Sequence, residues 1–498
     1  MTIRKSLLII TIVLLAVFAQ SVSFSFLVYD DPINITKNIF ITSPSLPGLR
    51  VLWTKPYQHL YIPVTYTSWM GIASISNILY GRLHPALFHF LNVLFHLANT
   101  FLVYALLTNL LNQNQENNGE QTNVAALLAA LVFGLHPVQV EPVCWATGFK
   151  DLLSAFFLLT ATYTVLVFNC SNNQKKIHPL AALSIVTGLY LMALLAKPQA
   201  VIFPFFIFIL VKFILRIKLS RHLVAFILLW TCMGLIIALL TKNAQPNPFH
   251  VSPLQRIHIA IDAVLFYIGK IVYPYPLLID YGRTLAREIS QPLRWYYPAA
   301  AVLLAGVLYL TKNGKILLAC TALALVSVAP VSGLMPFNFQ RISIVADRYL
   351  YLAIFAFSIA LAILIKKYFH PVTIATAILL VCGYGLLSFQ YVTKWHDSVT
   401  LMRYTLEINP ASKVANQNLG VALMRKGKMR ASIPYLQKAV MLVPDDTTTH
   451  FNLALSYACI GKQAAAEYEK KIVDSDKPKL GKKLSRALPL IKDTCLHK

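Results

Sequence analysis

Charged side chains are scarce in this chain. They make up 13% of its 498 residues, where soluble proteins average about 25%, while hydrophobic residues reach 57%. So little charge excludes an ordinary water-soluble globule. Acidic residues are the scarcest, 19 Asp and Glu against 44 Lys and Arg, a net charge of +25. In a soluble protein that excess would suggest nucleic acid. Here the cations lie mostly in short loops between apolar runs, where they set topology and meet anionic membrane lipids, so no nucleic-acid partner is expected. The seven cysteines are scattered, with Cys232, Cys320 and Cys382 inside apolar runs. They form neither a disulfide framework nor a zinc spacing, although Cys459 and Cys495 could pair. No P-loop, Rossmann glycine pattern, HExxH or GxSxG setting is present. Nucleotide-driven chemistry is therefore not expected, and any energy arrives with a donor substrate.

What the chain does have is apolar runs long enough to cross about 30 Å of hydrocarbon. The fold class expected is all-α, a polytopic transmembrane bundle of about eleven spans. These lie near 6–28, 85–110, 124–137, 149–168, 179–195, 198–215, 222–240, 297–311, 316–330, 349–365 and 371–391. The first run, behind Arg4 and Lys5, is long for a signal-peptide core and reads as an uncleaved helix. Spans two and three are joined by the polar link Asn112–Asn123. Basic loops at Lys175/Lys176, Lys212/Arg216/Lys218/Arg221, Lys312/Lys315 and Lys366/Lys367 fall on one side, which the positive-inside rule makes cytoplasmic. That parity requires 257–275, with His258, Asp262 and Lys270 among apolar residues, to lie at the interface rather than cross. The non-cytoplasmic face then receives the loop 29–84, the turns at 136–148 and 196–198, the segment 241–296, the loop 331–348 and the C-terminal tail.

Most residues able to do chemistry gather on that face. Asp30 and Asp31 follow the first span directly. Adjacent carboxylates at a membrane exit need a cation or proton nearby, and serve as a general base, as metal ligands, or merely as a solvated loop start. His84, His89, Asn92 and His96 introduce and line the second span, the last three in one stripe. Interhelical hydrogen bonding accounts for Asn92 and His96, while His84 and His89 are candidates for a site nearer the outer surface. The segment from His136 to Asp151, with Pro137, Pro142 and Gly148, interrupts two apolar helices. Irregular backbone at this depth is tolerated where it lines a cavity, which Glu141, Lys150 and Asp151 would face unless they only pair with one another. Lys197 sits in a connection too short for a soluble loop, and Asp347 and Arg348 open another span. A Lys and an Arg at the outer leaflet suit a lipid-linked phosphate; the alternative for Arg348 is a salt bridge to Asp347 or snorkelling. Asn34-Ile35-Thr36 and Asn169-Cys170-Ser171 match the weak glycosylation-acceptor pattern.

After Trp395 the pattern changes. Pro410 and Pro444, Leu419 and Leu453, and Gly427 and Gly461 are each 34 residues apart, the tetratricopeptide (TPR) period. The repeats occupy 395–473 after a membrane domain of 1–394, and a basic tail covers 474–498. About two and a half repeats are few for independent stability, so the tail is expected to lean on the membrane body. Its groove suits a peptide or protein partner.

In this order, Tyr29-Asp30-Asp31, His84 to His96, His136-Pro…Glu141…Lys150-Asp151-Leu-Leu, Lys197-Pro198, Asp347-Arg348-Tyr349-Leu350-Tyr351 and Trp395 before the repeats, the chain resembles the transmembrane-and-TPR mannosyltransferase group and its bacterial relatives, glycosyltransferases of the GT-C fold. The resemblance implies transfer of a sugar, mannose in that group, from a polyprenyl- or dolichyl-phosphate donor to a protein or glycan acceptor. It implies a multi-pass protein of a bacterial inner membrane or the endoplasmic reticulum, acting on the non-cytoplasmic side with inversion. It maps the acceptor-side base to Asp31, beside Asp30, and the cations that stabilise the departing phosphate to Arg348 and Lys197. No cofactor is certain; the Asp30/Asp31 pair fits chemistry with or without a divalent metal. Lys150 stands where many relatives have Arg, and the repeat array is shorter than theirs, which leaves a folded-protein acceptor open. A TPR membrane scaffold and a transporter or flippase of lipid-linked sugars are the competing readings.

Overall fold

The computed structural model of the protein describes residues 2–112, 119–170, 178–244, 251–290, 302, 305–306, 309–311 and 314–496. The expected span 297–311, the loop cations Lys175, Lys176 and Lys312, Ser171 of the second acceptor pattern and part of the link Asn112–Asn123 lie wholly or partly outside these residues. The described residues are helical, with an isolated bridge between Tyr57 and Leu60 and no sheet. The chain divides into two compact units.

The first unit comprises Met1–Phe24, Ile33–Leu277 and Arg283–Thr393. Among the described residues, seven of its helices are long and apolar enough to cross a membrane, or eight if a bent pair counts as one span. The helices that build it are α1 (Ile3–Phe18), α2 (Pro63–Tyr80), α3 (Pro85–Asn112), α4 (Gly119–Leu135), α5 (Phe149–Cys170), α6 (Pro179–Ala196), α7 (Arg221–Ala244), α8 (Pro253–Val272), α9 (Gly314–Val328), α10 (Ala353–Lys367) and α11 (Pro371–Val392). Helix α3 packs on α4 and α5, α5 on α6, and α10 on α4 and α9. Some polar side chains inside this packing are bonded from one helix to the next. Asn92 donates to the Val143 and Trp145 carbonyls at 3.2 and 2.7 Å, and His96 bridges the Tyr351 hydroxyl and the Gly134 carbonyl at 2.9 Å each. Such bonds tie α3 to its neighbours where water cannot.

Fewer described helices than eleven reach full spanning length, for local reasons. Pro137 breaks the third apolar run, and the pair Gly119–Leu135 and Pro137–Cys144 bends by 50°. The sixth is the short apolar helix Pro198–Ile214, and α10 is 15 residues. Helix α8, opened by a Ser252–Gln255 capping box, carries Arg256, Asp262 and Lys270 and does not qualify as a span.

The second unit comprises Ser25–Pro32, Leu278–Gly282 and Lys394–Lys498. Its helices are α12 (Ser398–Ile408), α13 (Lys413–Arg425), α14 (Met429–Leu442), α15 (Thr447–Cys459), α16 (Gln463–Asp476) and α17 (Pro478–Leu496). Consecutive helices pack in pairs, as TPR repeats do. Gly427 and Gly461 close matched turns at φ of 73° and 80°, where a side chain would be strained. A β-carbon on Gly420 would lie 2.6 Å from Leu436 Cγ, so this glycine permits the first pair to close. Residues 478–496 of the basic tail form a helix that buries Leu484 and Leu488 with Leu453 and Val473.

Two short stretches from far upstream belong to this unit. The Val28 amide donates to Ser398 Oγ at 2.8 Å and the Ser25 amide to the His396 carbonyl at 3.2 Å. Asp280 accepts from Ser412 Oγ at 2.6 Å and, through its carbonyl, from Asn409 at 3.2 Å. The first two bonds hold the entry to α12, and the last two hold the corner between α12 and α13.

Candidate functional site

The candidate site lies in the first unit, where three interruptions of helix meet. The first is the corner between α4 and α5. Pro137 opens a 3-10 turn there, Pro142 lies within the short helix Val140–Cys144, and Gly148 turns the chain so tightly that a β-carbon would sit 2.8 Å from Pro142 Cα. Only glycine fits that approach. The second is Lys197, extended at φ −155° between the end of α6 and a 3-10 turn opened by Pro198. The third is the 3-10 turn Asp347–Leu350 ahead of α10.

These corners bring four charges into one buried cluster. Arg348 Nη1 donates to Glu141 Oε1 at 2.5 Å, and the Arg348 amide donates to Glu141 Oε2 at 2.9 Å. The two side chains are 6% and 1% exposed. Lys197 pairs with Asp151, whose side chain is 2% exposed. The cations flank one ring: Lys197 Nζ lies 5.3 Å and Arg348 Cζ 4.9 Å from the centre of Tyr349. Phe339 and Trp145 complete a wall around the guanidinium at 4.3 and 5.4 Å. Cation–π contacts and a two-point carboxylate bond fix Arg348 far more tightly than a snorkelling arginine would be.

Burial pushes the Lys197 ammonium below the usual lysine range, against the opposing pull of Asp151.

A narrow cleft opens beside the cluster, lined by Asp151, Lys197, Gln199, Ser327, Arg348 and Tyr349 among others, with about 30 Å³ of free volume. Of the residues singled out in the sequence, Glu141, Asp151, Lys197 and Arg348 come together here. Lys150 stands at the edge with its ammonium 5.1 Å from the Trp145 ring. Asp347 is fully buried, and the carboxylate that Arg348 pairs with across the fold is Glu141. His84 and His89 are not among the lining residues. His84 stacks on Tyr80 and accepts from the Ala86 amide at 3.3 Å, a capping role at the start of α3. His89 is fully buried, edge-on to Phe24.

Asp30 and Asp31 belong to the second unit. Asp31 is buried and accepts from the Leu27 amide at 2.8 Å, whereas Asp30 is half-exposed. Asn34, the first acceptor-pattern asparagine, is 3% exposed, too buried to carry a glycan. Among the described residues no group of three or more His, Cys, Asp or Glu is placed to hold a metal ion.

Sequence reasoning did not single out Gln199, Phe339 or the ring of Tyr349 as site residues. Gln199 and Tyr349 adjoin Lys197-Pro198 and Arg348, where a nearby break in helix was the available signal. Phe339 carried none.

Fold and site together describe a multi-pass helical membrane protein with a repeat domain and a buried, charge-neutral cation cleft. The chain is distantly homologous over most of its length to the TMTC-type protein O-mannosyl-transferases, which are glycosyltransferases. It is 23% identical over 509 residues to human Protein O-mannosyl-transferase TMTC3, covering 92% of this chain and 54% of that protein. It is 22% identical over 525 residues to Protein O-mannosyl-transferase Tmtc3 of Drosophila melanogaster (89% and 55%). It is 23% identical over 448 residues to Protein O-mannosyl-transferase F38B6.6 of Caenorhabditis elegans (84% and 60%). The chain thus spans little more than half the length of these curated relatives. No family model and no solved structure matches it.

Proposed function

We propose that the protein is a membrane glycosyltransferase that moves mannose from a polyprenyl- or dolichyl-phosphate donor to a protein acceptor. The observation that carries this reading is the pair of fixed cations, Lys197 and Arg348, flanking Tyr349 at one cleft. Each has its own carboxylate, so the cluster is neutral before substrate arrives. A pre-oriented guanidinium and ammonium stabilise charge as it develops on a departing phosphate, without reorganising at the moment of reaction. In the proposed displacement the acceptor oxygen bonds to the anomeric carbon as the bond to the phosphate oxygen breaks. The phosphate leaves with the electron pair, the configuration inverts, and the acceptor proton passes to Asp31, with Asp30 beside it. Asp31 takes this role from the family resemblance. The names of the homologues support mannose as the sugar and protein as the acceptor.

The proposed topology has eleven crossings, adding Pro198–Ile214, α10 and 297–311 to the eight candidate spans. The second unit supports this parity. Ser25–Pro32, Leu278–Gly282 and Lys394–Lys498 form one compact body, so they share a side of the membrane and an even number of crossings separates them. Six crossings before 278 and four after satisfy that condition; a crossing by α8 would break it. Cys459 is disulfide-bonded, the chemistry of an oxidising compartment, which supports a non-cytoplasmic side for this body.

The test is transfer from radiolabelled polyprenyl-phosphate mannose to peptide acceptors by purified protein in lipid. Wild type should transfer; Arg348→Gln and Asp31→Asn should each lose at least a hundredfold in rate. Full activity in Arg348→Gln, or no transfer from any lipid-phosphate sugar by correctly folded wild type, rejects the reading.

A further inference from the structure

The two ion pairs leave one feature of the cleft unexplained. Asp151 Oδ2 and Gln199 Oε1 are buried acceptors that receive no hydrogen bond. They are the only such atoms, among the described residues, that belong to residues lining the cleft. Buried acceptors are matched as a rule, so each exception calls for a reason.

Neither is a matter of amide orientation. Gln199 Nε2 donates to the Ser327 and Tyr349 carbonyls at 3.2 and 3.4 Å, so turning the amide over would set oxygen against two oxygens. Lys197 occupies the other oxygen of Asp151. The serine hydroxyls of the cleft are already spent: Ser154 donates to the Ala193 carbonyl at 3.1 Å and Ser327 to the Leu323 carbonyl at 2.8 Å. Both atoms are thus open to a donor carried by a ligand.

We propose that Asp151 Oδ2 and Gln199 Oε1 form a hydroxyl-binding subsite that receives the hexose of the lipid-phosphate sugar; this rests on the transferase reading above. The chemistry of the pair is specific. Two acceptors ask for a ligand that donates, and hydroxyl groups do so without adding charge. The Asp151 charge is already balanced by Lys197, so the subsite asks for a neutral ligand. The free volume of about 30 Å³ is the space of one or two waters, which suits the hydroxyl edge of a ring. Lys197 and Arg348 line the same cleft, so the sugar is recognised beside the cations proposed for its phosphate.

The experiment uses the full chain in lipid nanodiscs with polyprenyl-phosphate mannose, its monodeoxy analogues, and polyprenyl phosphate without sugar. At least one deoxy donor should bind wild type about fivefold or more weakly, the worth of one neutral hydrogen bond. Gln199→Leu should lose a similar factor toward the intact donor, lose nothing further with that deoxy donor, and bind the sugar-free phosphate as wild type does. Equal binding of every deoxy donor by wild type overturns the subsite, and does so even if the variant fails to fold. Equal weakening of donor and sugar-free phosphate in Gln199→Leu overturns it too. If wild type binds no lipid phosphate at all, the transferase reading falls and the subsite with it.

Discussion

Removing the Glu141 carboxylate should destabilise the membrane unit more than any surface change in this protein. Glu141 makes two bonds to one residue, 2.5 Å to the Arg348 guanidinium and 2.9 Å to its amide, with both side chains almost wholly buried. Glu141→Ala leaves that guanidinium without its counter-charge among Phe339, Tyr349 and Trp145, at a cost of about 3–5 kcal/mol. Two hydrogen bonds to a charged acceptor, each about 1.5–3 kcal/mol, give the same range. Glu141→Gln keeps an acceptor and loses the charge, so it should fall near half that figure. The paired change Glu141→Leu with Arg348→Met removes both charges together and should recover most of the loss, since buried ion pairs contribute little net stability over apolar packing. It should nevertheless abolish transfer. Reversible unfolding by denaturing detergent in mixed micelles reads the stabilities, with transfer measured on the same samples. A loss below about 1 kcal/mol in Glu141→Ala, or a double variant no more stable than the single one, would refute the buried-pair argument.

Other consequences can be checked independently. Gly148→Ala, which sets a β-carbon against Pro142, should displace the corner that carries Glu141 and lower transfer at least tenfold, whereas Gly188→Ala, with open space around it, should be silent in both activity and stability. The Lys197 ammonium, held below the usual lysine range by burial, should give an alkaline limb in lipid-phosphate binding below pH 10.5, because the cation is lost as pH rises; Lys197→Arg should move that limb upward. The Asp397 carboxyl is held down to about 2, burial being outweighed by hydrogen bonds from Lys426 and the Thr400 amide. Its contribution to the repeats is therefore present above about pH 4 and lost as pH falls toward 2, and Asp397→Ala should cost about 1 kcal/mol through its helix cap. Cys459→Ser should abolish an intramolecular crosslink seen on non-reducing gels, and Cys495→Ser should do the same if the pairing suggested by the sequence is correct.

Much of the architecture is legible in the sequence because it rests on local chemistry. Apolar runs announce the spans, and the matched prolines, leucines and glycines announce the paired helices. The prolines and Gly148 mark the corner that holds Glu141 and Asp151. The partners chosen across the fold are not legible. Arg348 pairs with Glu141, 207 positions away, a partner that no local spacing announces. His84 and Lys150 carried the same kind of signal as Lys197. One caps a helix and the other lies over a tryptophan ring, outcomes that depend on packing and leave no mark in spacing. Asp280 and the stretch 25–32 gave no hint that they complete the repeats, since no periodic pattern reaches them.

That last arrangement makes the C-terminal body a meeting of segments made at very different times. The Val28 amide must wait 370 positions for Ser398, and Asp280 must wait for Ser412. Until the final membrane helix has been made, the early segments have no partner. The tail thus depends on residues made long before it, and its packing is complete only once Ser398 and Ser412 have joined Val28 and Asp280.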